Sequence, residues 1–417
     1  MRESGTDLLD VVGLDTGNLS SQGCIDKVLH ALRTHLNMDV AFLAEFRQQD
    51  RVFRNVDAVP DAPIKAGDAL PLSQGYCQQV VTGHLPELIP DTRAVGPARL
   101  IPETRSVPIG AHLSVPVRLS DGELYGTFCC FKYQPDPTLS PRDLELVRTF
   151  AELVADRLSL DVSSRRGQVE MRQRIQGAVA AHQPSIVYQP IYHLADLRIA
   201  GWESLSRFHC PPQRSPDLWF SEASAVGLGD ELEESAMRYA LQGLQSLPDD
   251  TYLTMNCSPQ TILAGRLPAL LAGNPPGRLV LEITEHAEVD DYDALHAQLQ
   301  PLRAQGVRLA IDDAGAGYSS LRHILRLRPD MIKLDMSLVR DIDSDAERRA
   351  LASAIIAFAR ETRKEVIAEG VETLAELATL KALQVDKVQG NLLSRPLPRD
   401  DALRLPRQRR LEGLPDS

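Results

Sequence analysis

The second half of the chain carries a repeated alternation that few folds can accommodate. From Ile186 onward, eight short β-rich runs are separated by stretches with helical periodicity: SIVYQP, IAGWESLSRF, TYLTMNCS, RLVLEIT, VRLAIDD, DMIKLD, EVIAEGV and DKVQG. Eight strands alternating with helices favour a closed (β/α)8 barrel in an α/β fold. Only IYHLADLR joins the first two runs, which is too short for a helical crossover, so we expect an antiparallel first strand.

Polar side chains stand at or near the ends of these apolar runs. They are Gln189, Glu203, Asn256, Glu282, Asp312, Asp313, Lys333, Glu369 and Gln389. In (β/α)8 barrels the chemistry lies at the carboxyl ends of the strands. A rim of satisfied polar groups is the structural alternative, but so many polar groups inside apolar runs favour a functional site.

Five of these side chains are carboxylates, and two unit charges 4 Å apart repel by about 4 kcal/mol at an effective dielectric near 20. Two divalent cations and Lys333 would balance the five charges. The candidate ligands are all hard oxygens, including the Asn256 amide, which favours Mg²⁺ or Mn²⁺ over zinc. Neighbouring residues on a regular strand face opposite sides, so Asp312 and Asp313 can reach one centre only if the strand ends there. We therefore expect the strand to end at these residues.

Two divalent ions bridged by a carboxylate are a recurrent device for phosphoester cleavage, and a lysine beside the attacking water can stabilise developing charge. The residues therefore predict phosphodiester hydrolysis. The segment GAGYSS offers a rival interpretation as a dinucleotide-binding loop. It lacks the third glycine, and two carboxylates precede it where a pyrophosphate needs positive potential, so we disfavour that interpretation.

The first half of the chain mixes helix and strand signals. CIDKVLHALRTHL predicts an amphipathic helix, VAFLAEF a strand and GYCQQVVTG a short helix. AHLSVPVRLSDGELYGTFCCFKY predicts two strands joined by a turn at Asp121 and Gly122. These signals indicate an α+β domain on an antiparallel sheet.

A long helix is predicted to follow, with Ser140 as cap, Pro141 at its first position and Asp143 completing a capping box. It carries an apolar stripe: Leu144, Val147, Ala151, Val154 and Leu158. We favour a helix that closes the first domain, and a dimerising linker remains the alternative. We place the domain boundary near 161–168.

Composition limits the function classes. The net charge of -12 argues against direct binding to a nucleic-acid polymer. The acidic N-terminus and the short apolar runs predict no membrane insertion and a cytoplasmic protein. The six cysteines lack a CxxC pair, and the histidines lack zinc-type spacing, so we expect reduced thiols and a metal held by oxygen.

Eight segments between Ile186 and Pro398 resemble the EAL-domain cyclic-di-GMP phosphodiesterases: YQPI, ESLSRF, MNCSPQ, LEITE, IDDAGAGYSSL, IKLD, IAEGVET and QGNLLSRPLP. They stand in the order and spacing of that family. The resemblance implies hydrolysis of cyclic di-GMP to linear pGpG with two Mg²⁺ or Mn²⁺ ions, in a chain expected to dimerise with itself.

The resemblance also implies a role for individual residues. One ion would be held by Glu203, Asn256, Glu282 and Asp312. A second ion would share Asp312 and be held by Asp313 and Glu369. The implied catalytic residues are Lys333, which would position the water or accept its proton, Glu369 and Glu203. The implied substrate-binding residues are Gln189, Arg207 and Gln389, and the implied supporting residues behind them are Glu285, Glu372 and Asp335.

Three departures from the family pattern bear on packing, regulation and turnover. Ser204 replaces the alanine of the signature triplet and should face away from Glu203, with little cost. Ala314 and Ala316 replace the usual phenylalanine and threonine of the loop after the aspartates, which bears on its packing and regulation. Asn391 stands where an aromatic is common.

The N-terminal part resembles a GAF sensor domain, through AFLAEF, GYCQQVVTGHLPELIPDTRA and HLSVPVRLSDGELYGTFCCFK. The sequence does not identify its ligand. Cys77, Cys129 and Cys130 are candidate bilin or redox positions, although buried small hydrophobic side chains are favoured.

We therefore expect a GAF-like sensor at 7–160, a helical linker at 161–180, an EAL barrel at 181–405 and a polar tail at 406–417. The predicted function is a two-metal cyclic-di-GMP phosphodiesterase regulated by the sensor. The alternative is a catalytically silent EAL module that acts as a cyclic-di-GMP receptor or scaffold.

Overall fold

A computed structural model describes residues 21–284, 289, 291–315 and 319–409. The chain forms two compact units that divide between Gly167 and Gln168. Glu285, Ala316 and the middle of the GAGYSS segment lie outside the described residues. Within the described residues no helix combines the length and apolar character needed to cross a membrane.

The first unit is an antiparallel six-stranded sheet with helices. Its strands are β1 (Val40–Arg47), β2 (Asp50–Ala58), β3 (Ala69–Pro71), β4 (Leu88–Ile89), β5 (Ala111–Arg118) and β6 (Leu124–Lys132). Its helices are α1 (Ser21–His35), α2 (Tyr76–Val81), α3 (Pro102–Ser106) and the start of α4 (Pro141–Ala180). The sheet order is β3-β2-β1-β6-β5-β4, which confirms the predicted α+β architecture. Gly122, with φ +84°, lies in the predicted turn between β5 and β6.

Alternation along the strands divides the first unit into two apolar clusters. One joins α1 and the first half of α4 and includes Cys130. The other contains Tyr76, Cys77 and Cys129. The predicted stripe of α4 is buried in the first cluster, as expected for a helix that closes its own domain.

The second unit is the predicted barrel. Its strands are β7 (Ser185–His193), β8 (Ile199–Arg207), β9 (Tyr252–Asn256), β10 (Leu279–Thr284), β11 (Arg308–Ala314), β12 (Met331–Leu334), β13 (Glu365–Ala368) and β14 (Lys387–Val388). Neighbours from β8 to β14 are parallel, and β7 is antiparallel to both β8 and β14, which closes the barrel. The expected antiparallel first strand is confirmed.

Helices follow each barrel strand from β8 to β13. They are α5 (Pro216–Ala225), α6 (Gly229–Leu244), α7 (Pro259–Leu263), α8 (Leu267–Leu271), α9 (Tyr292–Ala304), α10 (Ser319–Leu327), α11 (Met336–Val339), α12 (Ala346–Glu361) and α13 (Leu374–Ala382). A short strand β15 (Leu397–Pro398) pairs with β7, and α14 (Arg399–Ala402) follows.

Both predicted connecting segments contact the barrel unit. In the last turns of α4, Ile175 and Ala178 are buried against Trp219, so this part of the predicted linker packs on the second unit. At the other end, Arg409 N donates to Leu197 O at 2.9 Å. The described start of the predicted tail therefore hydrogen-bonds to the barrel.

Candidate metal and substrate site

A buried lysine lies among four carboxylates. Lys333 Nζ is 3.3, 3.1, 3.0 and 2.7 Å from carboxylate oxygens of Glu203, Glu282, Asp312 and Glu369, respectively. Burial acts to lower the pKa of Lys333, but the four carboxylates outweigh it and raise that pKa well above the usual value. The ammonium is therefore held charged.

The carboxylates form two groups with one shared member. Oxygens of Glu203, Glu282 and Asp312 all lie within 4.8 Å of one another, and so do oxygens of Asp312, Asp313 and Glu369. Side chains from β8, β10 and β11 and from the residue after β13 meet here, so only the closed barrel assembles the groups. The structure thus brings together the five carboxylates that the sequence singled out.

A β-bulge allows adjacent aspartates to serve one site. Asp312 and Asp313 of β11 stand opposite the single residue Lys333 of β12, where the register shifts. Asp313 has φ +55°, and its N–H donates to Asp312 Oδ1 at 3.0 Å. The strand ends at Ala314, one residue after Asp313 and directly before Gly315, close to where the sequence predicts its end. The extra residue of the bulge, rather than a strand end, turns the second carboxylate.

The donor set fits divalent cations. Among the described residues, both carboxylate oxygens of Glu282 and Oε1 of Glu369 lack a hydrogen-bond donor, although Lys333 Nζ lies within ion-pair distance. Burial raises the pKa of Glu282 to about 8, and it raises that of Glu369 well above the usual value. Buried carboxylates with spare acceptor capacity are hard oxygen ligands of the kind that Mg²⁺ and Mn²⁺ prefer.

Two glutamines connect the carboxylates to the barrel seam. Gln389 Nε2 donates to Glu203 Oε2 at 2.5 Å and to Gln189 Oε1 at 3.0 Å, and Gln189 Nε2 donates to Ser394 O at 3.0 Å. Gln189 pairs with Glu203 across β7 and β8. It lies in the middle of β7 rather than at its end, because the reversed direction of this strand sets its midpoint level with the site.

A cavity of about 550 Å³ opens beside the carboxylates. Glu203, Asp312 and Asp313 line it, together with Arg207 at the end of β8 and Asn256 at the end of β9. Arg207 Nη1 donates to Ser206 O at 2.8 Å, and the Asn256 side chain is exposed. The cavity therefore places a cation and an amide next to the carboxylates.

Glu233, a helical residue that the strand-end pattern does not mark, also lines this cavity. Its Oε2 accepts hydrogen bonds from Ser258 N and Ser258 Oγ, both at 2.9 Å, and so supports the segment that follows Asn256. Burial raises the pKa of Glu233. Its sequence signal is the pair of adjacent acidic residues in LEESAM, which lies within a helix rather than at a strand end.

The predicted supporting residues are placed differently from one another. Asp335 caps α11 by accepting from Ser337 N at 2.9 Å. Glu372 is exposed, with a carboxylate oxygen 3.7 Å from Arg340 Nη2. Glu285 lies outside the described residues.

The residues that depart from the family pattern have distinct environments. Ser204 Oγ donates to Thr254 O at 2.7 Å. Ala314 is fully buried, whereas Asn391 is exposed.

Comparisons with known proteins agree with this geometry. Residues 172–396 match the EAL domain family, and residues 18–159 match the GAF domain family. The chain is a GAF-EAL protein. The EAL match covers the barrel strands and every described residue of the candidate site.

Two relatives come from Pseudomonas aeruginosa. The GAF-EAL chain is 36% identical over 243 residues to the cyclic di-GMP phosphodiesterase NbdA, covering 55% of this chain and 31% of NbdA. It is 32% identical over 248 residues to the bifunctional diguanylate cyclase/cyclic di-GMP phosphodiesterase MucR, covering 57% of this chain and 36% of MucR. The GAF-EAL chain therefore spans about a third of the length of these relatives.

Solved structures share the barrel. The PaMucR phosphodiesterase in complex with c-di-GMP is 30% identical and superposes with a TM-score of 0.51, over 56% of this chain and 99% of that chain. The EAL enzyme Bd1971, bound to cAMP and cyclic-di-GMP, gives a TM-score of 0.55 over 88% of this chain and 92% of that chain. Its identity of 20% supports the fold alone.

Proposed function

We propose that this GAF-EAL protein hydrolyses cyclic di-GMP to linear pGpG with two Mg²⁺ or Mn²⁺ ions, under the control of its GAF domain. One observation carries the proposal: two sets of three carboxylates, with Asp312 in both sets, lie beside a cavity and a buried lysine. A pair of adjacent divalent ions bridged by one carboxylate suits in-line displacement at phosphorus.

The two ions would share one ligand, Asp312, and otherwise have separate ligands on this chain. Glu203, Asn256, Glu282 and Asp312 would hold one ion, and Asp312, Asp313 and Glu369 would hold the other. When bound, such ions activate a water and stabilise charge on the phosphoryl oxygens. Glu203 and Glu369 thereby belong to the catalytic set together with Lys333.

Lys333 and Gln389 fix the orientation of a ligand carboxylate. Lys333 Nζ donates to Glu203 Oε1 at 3.3 Å, while Gln389 donates to the other oxygen of the same carboxylate. Both carboxylate oxygens of Glu203 are therefore oriented by hydrogen bonds from the protein itself. Hydrogen bonds to a ligating carboxylate typically change metal affinity or activity by 10- to 100-fold.

The cavity supplies groups for the dinucleotide. Arg207 carries a positive charge suited to a phosphate, which guanidinium groups bind through paired hydrogen bonds. Gln189 is not among the residues that line the cavity, but it is linked through Gln389 to Glu203, and its amide would contact a guanine edge after exchanging its hydrogen bond to Ser394 O. The same groups would serve a silent receptor, so binding alone does not distinguish the two functions.

A time course of the purified chain with cyclic di-GMP and Mn²⁺, with and without EDTA, tests the proposal. We expect metal-dependent appearance of pGpG, resolved by chromatography. Asp312→Asn should reduce turnover by at least about 100-fold, because it weakens both ion sites. Asp249→Asn, at a fully exposed position, is the matched control and should leave turnover unchanged.

The outcomes separate the two functions. Intact cyclic di-GMP that nevertheless binds the chain would support the receptor or a barrel silenced by the GAF domain, and the fragment from Gln168 onward would then be assayed. Turnover by Asp312→Asn equal to that of the unmodified chain would contradict the shared-ligand role. Light scattering would test the expected homodimer.

A further inference from the structure

Two cysteines from different elements meet inside the first unit. Cys77 lies on α2 and Cys129 on β6, and their Sγ atoms are 3.7 Å apart. Both side chains are fully buried. The sulfurs would have to approach by less than about 2 Å to form a disulfide, in which the S–S distance is about 2.05 Å.

A buried guanidinium contacts one of the two sulfurs. Arg51, only 1% exposed, donates from Nη1 to Cys77 Sγ at 3.2 Å and forms an ion pair with Glu103. Gly75 leaves room for this guanidinium, because a Cβ at that position would lie 2.3 Å from Arg51 Cζ. A side chain that is expensive to bury is therefore placed against a thiol.

The two thiols differ in acidity. The hydrogen bond with Cys129 and the charge of Arg51 lower the pKa of Cys77 to about 5, against the raising effect of burial. Burial raises the pKa of Cys129 well above its usual value. Cys77 is therefore the more acidic of the two thiols, and the thiolate is the nucleophilic form.

The neighbouring residue shows that this arrangement is specific to one face of the sheet. Cys130 points into the opposite apolar cluster. Burial raises the pKa of Cys130 to about 12, so it is held as an unreactive thiol. Cys130 therefore serves as an internal control for Cys129. Both cysteines are buried, and of the two only Cys129 faces a second sulfur.

We propose that Cys77 and Cys129 form a redox site that a small hydroperoxide converts to a disulfide. The Cys77 thiolate attacks one peroxide oxygen, the O–O bond breaks, and hydroxide leaves, giving a sulfenic acid at Cys77. Cys129 then attacks that sulfur, the S–O bond breaks, and the Cys129 proton and the leaving hydroxide form water. The dithiol loses two electrons, and the peroxide is reduced.

Burial defines the size of the oxidant. Neither sulfur is exposed, and a cavity of about 20 Å³ reaches Arg51, which contacts Cys77 Sγ, but does not reach the sulfurs themselves. That volume holds about one water-sized molecule. Hydrogen peroxide is close to that size, whereas a peptide disulfide is far larger, so the site should discriminate between oxidants by access.

The reduced full-length chain treated with one equivalent of hydrogen peroxide at neutral pH, then alkylated and digested, tests the proposal. We expect a cross-link between the Cys77 and Cys129 peptides that forms more than about tenfold faster than Cys130 is oxidised. Oxidised glutathione at the same concentration should give little cross-link.

Variants assign the steps. Cys129→Ser should trap the Cys77 sulfenic acid, which dimedone labels, and Cys130→Ser is the matched control that should leave the cross-link unchanged. Gly75→Ala should slow the reaction by displacing Arg51 while both cysteines remain.

Oxidation of Cys77 no faster than that of Cys130 would overturn the proposal. A bridge between Cys129 and Cys130 would overturn it as well. The unmodified chain and the Cys130→Ser control decide the matter even if Gly75→Ala does not fold.

Discussion

Lys333 has two separable effects on the site. It offsets the charge of the carboxylates that surround it, and it lies where the proposed reaction develops charge. If Lys333 only balanced charge, it would contribute most to stability when no metal ion is bound to the carboxylates. Stability measured with and without metal therefore distinguishes the two effects.

We expect Lys333→Met to destabilise the metal-free chain by about 3 to 5 kcal/mol, because removing one partner leaves buried carboxylates uncompensated. Saturating Mn²⁺ should restore part of that stability. The thermal midpoint of the barrel unit, followed by tryptophan fluorescence in EDTA and in Mn²⁺, measures both. Lys381→Met, at an exposed position, is the control. An equal loss in EDTA and in Mn²⁺ would contradict the charge-balance role.

A second residue-scale prediction concerns His112, which is buried against Tyr76 with ring centroids 4.5 Å apart. Burial, reinforced by the charge of Arg51, lowers the pKa of His112 to about 3. The unfolded chain, with a histidine pKa near 6.5, binds the extra proton first as pH falls. Stability of the first unit should therefore drop between pH 7 and pH 5, by about 2 kcal/mol from this group.

His112→Phe should remove that part of the pH dependence. Urea unfolding at pH 7 and pH 5, followed by far-UV circular dichroism, measures the difference between variant and unmodified chain. Trp202 and Trp219 both belong to the second unit, so their fluorescence serves as an internal control. The same loss in both proteins would show that other groups cause the acid sensitivity.

At the scale of elements, the bulge in β11 determines where the Asp313 carboxylate points. Asp313 has a positive φ, which asparagine tolerates better than most residues and alanine does not. Backbone geometry and carboxylate chemistry at this position can therefore be changed independently.

We predict that Asp313→Asn lowers Mn²⁺ affinity at the ion site shared with Glu369 while changing the melting temperature little. Asp313→Ala should lower metal affinity equally and also cost about 1 to 2 kcal/mol of stability, because its Cβ disfavours the left-handed conformation. Calorimetric metal titration and thermal melts of both variants provide the comparison. Equal stability of the two variants would contradict a role for backbone strain.

The order of elements was predictable, and the local geometry was not. Apolar runs and their spacing gave all eight barrel strands and the reversed first strand, because periodicity and loop length are local properties of the sequence. The bulge at Asp312 and Asp313 depends on the register with β12, which is a tertiary property. The same limit applies to Glu233, since its approach to Ser258 depends on how α6 packs on the barrel.

At the scale of the whole molecule, each unit builds its cores from its own residues. The clusters of the first unit end at Val162, and those of the second begin at Ile175. Sequence patterns predict the boundary near 161–168, because polarity rises there. They could not assign the last turns of α4 to the barrel, since burial of Ile175 depends on α5 and α6.

A fragment that begins at Gln168 should therefore fold alone. We expect it to keep the buried-tryptophan fluorescence and the melting temperature of the barrel in the full chain. A shorter fragment that begins at Ser185 loses Ile175 and Ala178, and should be less stable by about 2 kcal/mol or more, because fully burying an isoleucine is worth 1.5 to 3 kcal/mol. Equal midpoints for the two fragments would show that these turns contribute nothing.

Because the Cys77 and Cys129 sulfurs are buried, their oxidation should be easier than their reduction. A small oxidant could enter the closed fold, but a protein reductant could not touch a bond between two side chains with no exposed surface. Reversal would wait for the unit to open, and local opening of a core is infrequent. Such a site would not follow the current level of peroxide. Once formed, the disulfide would persist after the peroxide is gone, for as long as the fold stays closed.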